Sequence, residues 1–402
     1  MLNKKNFFNN CSFNSREFKK NLQKTKITFN EFKYDLEKFK IPMLLSYKKE
    51  YELDFNTKIL KKFLKYKNII IIGMGGSILG TKSIYSFLKK KIKKEVFFFD
   101  NLDSNLHLEF QKIKNLKNSC FLVVSKSGNT LETITNLSIL FPKISLKNKL
   151  VFITEISDNI LMDLANKYNA EIIEHKEYIG GRYSVLSEVG MFPAALMGLN
   201  VAKFKNLDNL INNQQFISTL IQNVTSIYTL GKHRIKNSII LSYDSSLNDL
   251  GYWYQQLVGE SLGKKGSGFT PMMSFAPKDH HSLMQLYLEG PKDKFFTFFN
   301  ISKNKKQNKI SKKIQLSEIK FLKNKDLNFI LQAQYLATQN VFKSKRIPFR
   351  YFSFNKINEE EQGTIFTFFV LETILLSRLM NVNPFNQPAV EQIKVETKKF
   401  LS

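Results

Sequence analysis

Several stretches of this chain set carboxylates, hydroxyls, cations and glycines at spacings that could act on a small ligand. In Tyr252–Lys265, YWYQQLVGESLGKK, Glu260 lies four residues after Gln256, so a helix would put both on one face. A carboxylate in a partly dry pocket is a natural base for taking a proton from carbon beside a carbonyl, although most helical glutamates are only solvated. In Ile179–Gly190, IGGRYSVLSEVG, Arg182 follows two glycines, so neighbouring side chains need not block its approach to a ligand. A fixed guanidinium suits a developing oxyanion, and an ordinary ion pair is the competing role for any single arginine.

Two glycine-containing turns offer a place for an anion. Ile69–Gly80, IIIIGMGGSILG, reads as a buried strand, a glycine-rich turn and a helix start with free N–H groups. Its glycines miss the dinucleotide spacing, because GxGxxG would need glycine at Ile78. A tight structural turn and a phosphate or sugar contact both remain open. Val123–Thr133, VVSKSGNTLET, packs Ser125, Lys126, Ser127 and Thr130 around Gly128 at a second helix start. That is a pocket for a phosphate monoester, or else a helix cap with Glu132 completing a capping box. In Asp279–Pro291, DHHSLMQLYLEGP, His280 and His281 adjoin, but no second cluster of metal-ligand type stands nearby, so no metal site is expected.

These residues need a frame, and the apolar pattern supplies one. Short β-rich runs recur at Asn68–Ile72, Val96–Phe99, Phe121–Val124, Leu150–Ile153 and Glu171–Ile173, with room for crossover helices between them. A second series runs through Ser238–Tyr243, Phe295–Phe299 and Phe349–Phe354, before a long helix over Asn358–Met380. The pattern predicts an α/β fold with mainly parallel sheets in two units. The expected division is a helical extension over 1–44, a first α/β domain over 45–204, a second over 205–382, and a closing helix over 383–402. Both glycine turns would follow strands, where open α/β sheets bind ligands.

Bulk properties exclude some function classes. Two cysteines, Cys11 and Cys120, cannot make a disulfide framework and suit a reducing compartment. The basic N-terminus lacks an apolar export segment, and Thr364–Leu376 is too short to span a bilayer and carries Glu372, so a cytoplasmic protein with no membrane partner is expected. The chain carries 61 Lys+Arg against 34 Asp+Glu, formally +27. Local clusters stand at Lys89–Lys94 and Lys303–Lys313, yet no nucleic-acid-binding motif accompanies them. The lysines read as solvated faces, and no nucleic-acid partner is expected.

Taken with the C-terminal run FNQPAVEQIK, these segments resemble the phosphoglucose isomerase family, in its order, from about Ile69 to Lys394. The resemblance implies two three-layer sugar-isomerase domains, interconversion of glucose 6-phosphate and fructose 6-phosphate, and no cofactor. It makes Glu260 the base that moves a proton between C1 and C2, and His281 the ring-opening acid–base group. His281 is taken over His280 because it lies four residues before Gln285. Lys394 would assist ring opening, and Arg182 would stabilise the enediolate. Ser77, Ser125, Lys126, Ser127 and Thr130 would hold the phosphate, Gly76 would also bind the substrate, and Glu132, Gln256 and Gln387 would position the sugar. The family also implies a homodimer in which His281 reaches the neighbouring subunit's site.

Two residues depart from that pattern. Glu188 stands where the family usually has a small residue, and Ala389 where it usually has glycine. If position 389 needs positive φ, alanine costs roughly 1 kcal/mol there. A dual-specificity phosphoglucose/phosphomannose isomerase is the nearest rival, and a sugar-phosphate binder without catalysis is the reading from another class. Such a binder could keep the hydroxyl loops without Glu260, His281 or Arg182, all of which are present.

Overall fold

The computed structural model describes residues 8–11, 13–141, 149–233, 235–302, 309–311 and 317–402. The Lys303–Lys313 cluster therefore lies largely outside the described residues. Among the described residues, nine strands form two sheets. The first contains β1 (Asn68–Gly73), β2 (Glu95–Phe99), β3 (Ser119–Val124), β4 (Leu150–Thr154) and β5 (Glu171–Glu174), in the order β2-β1-β3-β4-β5. The second contains β6 (Asn237–Ser242), β7 (Thr270–Phe275), β8 (Lys294–Ile301) and β9 (Phe349–Phe354), in the order β7-β6-β8-β9. Every pairing between these strands is parallel.

The apolar runs explain these strands. All residues of β1 and β3 are buried, as β-branched and aromatic runs covered on both faces should be. Eight of the nine strands coincide with expected runs. The exception, β7 (TPMMSF), alternates exposed and half-buried positions over its first four residues and contains Pro271. It occupies a sheet edge, where a missing N–H is tolerated.

In the first sheet the chain steps from β1 outward to β2, then returns to β3 on the other side of β1. Such a reversal opens a crevice at the carboxyl ends of the two central strands. The GMGGS turn leaves β1 there, and the SKSGNT turn leaves β3. Their closeness excludes a side chain at Gly73, where a Cβ would come 2.9 Å from the Val124 carbonyl oxygen.

The two sheets share one continuous core. It runs from Ile69 and Ile71 of β1 through Ile84 and Val185 to Leu257, Phe366 and Phe369. The helix Asn248–Leu262 is set into it by Trp253 against Phe366 and Tyr254 against Phe369, both at 4.7 Å between ring centroids. The helix Glu359–Leu379 is long and apolar enough to cross a membrane, but here it is a core helix buried along most of its length. Its Glu372 forms a fully buried ion pair with Arg350, whose Nη2 donates to Oε2 at 2.9 Å and whose Nε donates to Thr297 at 3.0 Å.

The N-terminal helix packs against the helices Gln214–Lys232 and Glu359–Leu379. Helix Ser15–Glu37 buries Phe29, Phe32 and Leu36, Asn21 donates to Thr229 at 3.0 Å, and Asp35 pairs with Arg378 at 2.9 Å. At the other end, the closing helix covers only Val390–Leu401, and Asn383–Ala389 form an irregular strap before it. The expected helix over 383–402 is shortened because Pro384 and Pro388 break it and the strap's carbonyls are engaged by side chains across the molecule. Ala389 has φ −68°, so alanine is unstrained there and the anticipated cost does not arise.

Candidate active site

The helix Asn248–Leu262 carries Gln256 and Glu260 one turn apart, and Gln256 Nε2 donates to Glu260 Oε1 at 2.8 Å. The other carboxylate oxygen accepts from Arg182 Nη1 at 3.0 Å. A carboxylate held at both oxygens has a fixed plane, while each oxygen keeps a further lone pair for a substrate proton. Gln256 Oε1 is buried and accepts no hydrogen bond among the described residues, so it is free to take one from a sugar hydroxyl.

Arg182 projects from the turn Gly181–Leu186 and is 3% exposed. Its five N–H donors meet five acceptors. Nε donates to Ser261 Oγ at 2.9 Å, and Nη1 to Glu260 and to Gln387 Oε1 at 2.8 Å. Nη2 donates to the carbonyls of Pro384 and, at 3.1 Å, Asn386. The Pro384 carbonyl also accepts from Tyr183 OH at 3.0 Å. Burial raises the Tyr183 phenol above its ordinary range, so it stays protonated as a donor.

The GMGGS turn closes against this group on two sides. Gly75 has φ +53°, and a Cβ there would lie 2.9 Å from Gln256 Nε2. A Cβ on Gly76 would come within 2.2 Å of the Gly181 carbonyl carbon. Gly75 is thus favoured by its positive φ, and Gly76 is required by close approach. Ser77 is half-buried at the end of the turn.

Next to it, Ser125 Oγ and Thr130 Oγ1 are 2.8 Å apart. Thr130 stands at the N-cap of helix Leu131–Leu140 without a side-chain cap bond, so the capping-box alternative is not realised. Gly128 (φ +65°) rests against Asn159, and Asn129 Oδ1 accepts from Ile160 N at 3.1 Å, which buttresses the loop from outside. Ser127 is exposed, with Oγ accepting from Asn129 N at 3.3 Å. Lys126 points across the loop, donating to the Glu177 carbonyl at 2.6 Å and lying 3.4 Å from Glu155. Glu132 is half-buried in the first turn of the following helix.

The structure therefore joins Glu260, Arg182, Gln256, Gln387 and Gly76 directly. It does not bring His281 or Lys394 to them within one chain. His280 is turned inward, within 2.8 Å of Tyr243 OH and 3.4 Å of Thr338, and burial lowers its pKa. His281 is exposed beside it. Lys394 lies on the exposed closing helix and donates to Glu391 at 2.7 Å. Among the described residues no group of three or more His, Cys, Asp or Glu side chains could hold a metal.

Sequence reasoning missed Ser261, Tyr183 and the strap carbonyls. Ser261 and Tyr183 each adjoin a selected residue, which was the available signal. Glu188, the departure from the family pattern, is fully buried behind Arg182's turn. It accepts from Tyr51 OH at 2.9 Å and Asp54 N at 3.1 Å.

Comparison with known proteins shows what the chain as a whole is similar to. A family profile described as Phosphoglucose isomerase matches residues 58–279. The glucose-6-phosphate isomerase of Methanocaldococcus jannaschii is 35% identical over 85% of this chain and 86% of its own. That of Campylobacter jejuni is 30% identical over 84% and 86%. Among solved structures, a hypothetical protein of Thermus thermophilus shares the fold with TM-score 0.83 at 23% identity, covering 96% of this chain and 98% of its own. A glucose-6-phosphate isomerase of Chlamydia trachomatis shares it with TM-score 0.72 at 19% identity, covering 86% and 71%. With a profile match over more than half its length and these relatives along most of it, the chain belongs to the phosphoglucose isomerase family.

Proposed function

We propose that this protein is a glucose-6-phosphate isomerase, interconverting glucose 6-phosphate and fructose 6-phosphate. The observation that carries the reading is the Glu260 carboxylate, oriented by Gln256 and Arg182 in the crevice between β1 and β3. The phosphate lies against Ser77, Ser125, Thr130 and the N–H groups after the two glycine turns, where fixed dipoles favour an anion. Ser127 and Lys126 line the outer edge of that cradle, and Glu132 stands at its sugar end.

After ring opening, Glu260 takes the proton from C2 of the aldose and returns it to C1, while the hydroxyl proton passes from O2 to O1, giving the ketose. The electrons released form a cis-enediolate, and Arg182 stabilises its oxygen as charge appears. Gln387 and Glu260 share Arg182 Nη1 in the free protein, so an arriving sugar oxygen can take over that donor as Gln387 turns to a hydroxyl. No step calls for a redox cofactor or a metal.

The ring-opening imidazole is supplied by His281 of a second copy, which makes the protein a homodimer with a shared site. Two features support this: the outward face of His281, and an inner neighbour, His280, already committed to Tyr243. Lys394 joins the same end of the site once the closing helix docks. The protein works in the cytoplasm.

The test is a coupled assay on fructose 6-phosphate with chelator present. The wild type turns over, and Glu260→Gln loses about 10²–10⁴-fold in kcat, as removal of a general base does. Equal rates in the two proteins overturn the mechanism.

A further inference from the structure

Three of the five acceptors on Arg182 belong to the strap, namely the Pro384 and Asn386 carbonyls and the Gln387 side chain. Where the guanidinium points thus depends on where the strap lies. Beyond Gln387 the chain is exposed at nearly every residue, and the closing helix buries none of its residues. The strap is held by Val382 and Pro384, both buried, by Phe385 tilted against Tyr183 at 5.9 Å, and by one side chain from outside Arg182's own turn.

That side chain is Lys264. It stands just past the C-terminus of the helix that carries Glu260, where Gly263 ends the helix with its N–H bonded to the Gly259 carbonyl. Its ammonium donates to the Ser261 carbonyl at 3.0 Å and to the Asn383 carbonyl at 2.6 Å. Ser261 in turn holds Arg182 Nε. Lys264 thereby ties the end of the helix bearing the base to the residue just before the first strap carbonyl that Arg182 grips. A charge-assisted donor bridging two carbonyls is a stronger tie than a neutral one.

We propose that Lys264 is a positioning residue of the isomerase site, latching the strap at Asn383 so that Arg182 stays aimed across Glu260. Lys264 does not reach the sugar in this account; it acts through the strap on Arg182. The proposal rests on the isomerase reading for its kinetic consequence. Its structural consequence is independent of that reading. The lowered pKa of Lys264, about 8, follows from burial and then from the neighbouring Arg182, with Glu260 opposing, and agrees with its tight placement.

The experiment is a double-mutant cycle with Lys264→Met and Arg182→Ala, with Lys264→Arg as the rescue. In the wild-type background Lys264→Met is expected to lower kcat by about ten-fold with KM within about three-fold, since the interaction lost acts in the transition state. Lys264→Arg, which keeps the charge and the donors, is expected to restore kcat to within about two-fold. In the Arg182→Ala background Lys264→Met is expected to cost less than about two-fold. A general folding defect would instead multiply through both backgrounds, and that result overturns the proposal. Hydrogen exchange of residues 382–387 provides the second readout. Faster exchange in Lys264→Met supports the latch even if the wild type proves not to be an isomerase; unchanged exchange with unchanged kcat ends it.

Discussion

A Cβ on Gly76 would sit 2.2 Å from the carbonyl carbon of Gly181 and 2.7 Å from the backbone nitrogen of Arg182. Two loops from distant parts of the chain are thus in backbone contact, and this contact sets the height of Arg182 above the crevice. Gly76→Ala must push the Gly181–Arg182 turn away. A shift of about 1 Å can cost 10²-fold in rate, so kcat/KM is expected to fall by about that factor. Unfolding in urea is expected to register a loss of about 1–3 kcal/mol, the usual cost of overpacking. Wild-type activity in Gly76→Ala would show that the two loops can separate freely.

The buried Arg350–Glu372 pair anchors the long core helix to β9. Removing one partner leaves an uncompensated charge in the core, so Glu372→Ala is expected to destabilise the fold by about 3–5 kcal/mol. Urea titration of the two proteins checks this; a change below about 1 kcal/mol would mean that the charge finds water.

Lys205 is 2% exposed, and its Nζ has no hydrogen-bond partner among the described residues, lying 4.5 Å from the centre of the Tyr51 ring. Burial lowers its pKa from 10.5 to about 8, and Glu188 opposes the shift. The sign follows from proton counting: between pH 8 and 10.5 the unfolded chain holds this proton and the folded chain sheds it. Stability from this group therefore rises with pH across that window and is lowest below about pH 8, where both states are charged. Lys205→Met is expected to lose that alkaline rise in a series of denaturation midpoints. An unchanged rise would assign it to another group.

The shared-site reading predicts complementation between inactive variants. Mixed after dissociation and reassociation, Glu260→Gln and His281→Ala subunits are expected to regain activity, because one of the two sites in a hybrid keeps both wild-type groups. Failure of hybrids to regain activity places the imidazole elsewhere.

Much of this was legible in the sequence, for physical reasons. The runs in β1 and β3 are buried on both faces and so apolar without interruption, and of the glycines after β1, Gly76 is required because backbone meets backbone and Gly75 is favoured by its positive φ. Gln256 and Glu260 were joined by helical periodicity alone. Other features had no local signature. β7 hid behind Pro271 and an edge strand's alternation. Arg182 finds Glu260 and Gln387 across 78 and 205 residues, and the strap before Val390, already kept out of a helix by Pro384 and Pro388, is fixed in place by carbonyls that Arg182, Tyr183 and Lys264 capture. Lys126 carries the right charge for a phosphate cradle, yet tertiary contacts draw it towards Glu155 and Glu177. Glu188, unexpected beside the family pattern, is explained by Tyr51 and the Asp54 amide, which no spacing rule would have paired with it.

The most direct test of the central claim follows the proton itself. Fructose 6-phosphate is incubated in D₂O with wild type or with Glu260→Gln, and deuterium at the carbon beside the carbonyl is read by NMR, with substrate binding measured in parallel by calorimetry. The wild type is expected to incorporate deuterium while forming glucose 6-phosphate, and Glu260→Gln to bind the sugar phosphate but do neither. Deuterium exchange at the wild-type rate in Glu260→Gln would contradict it.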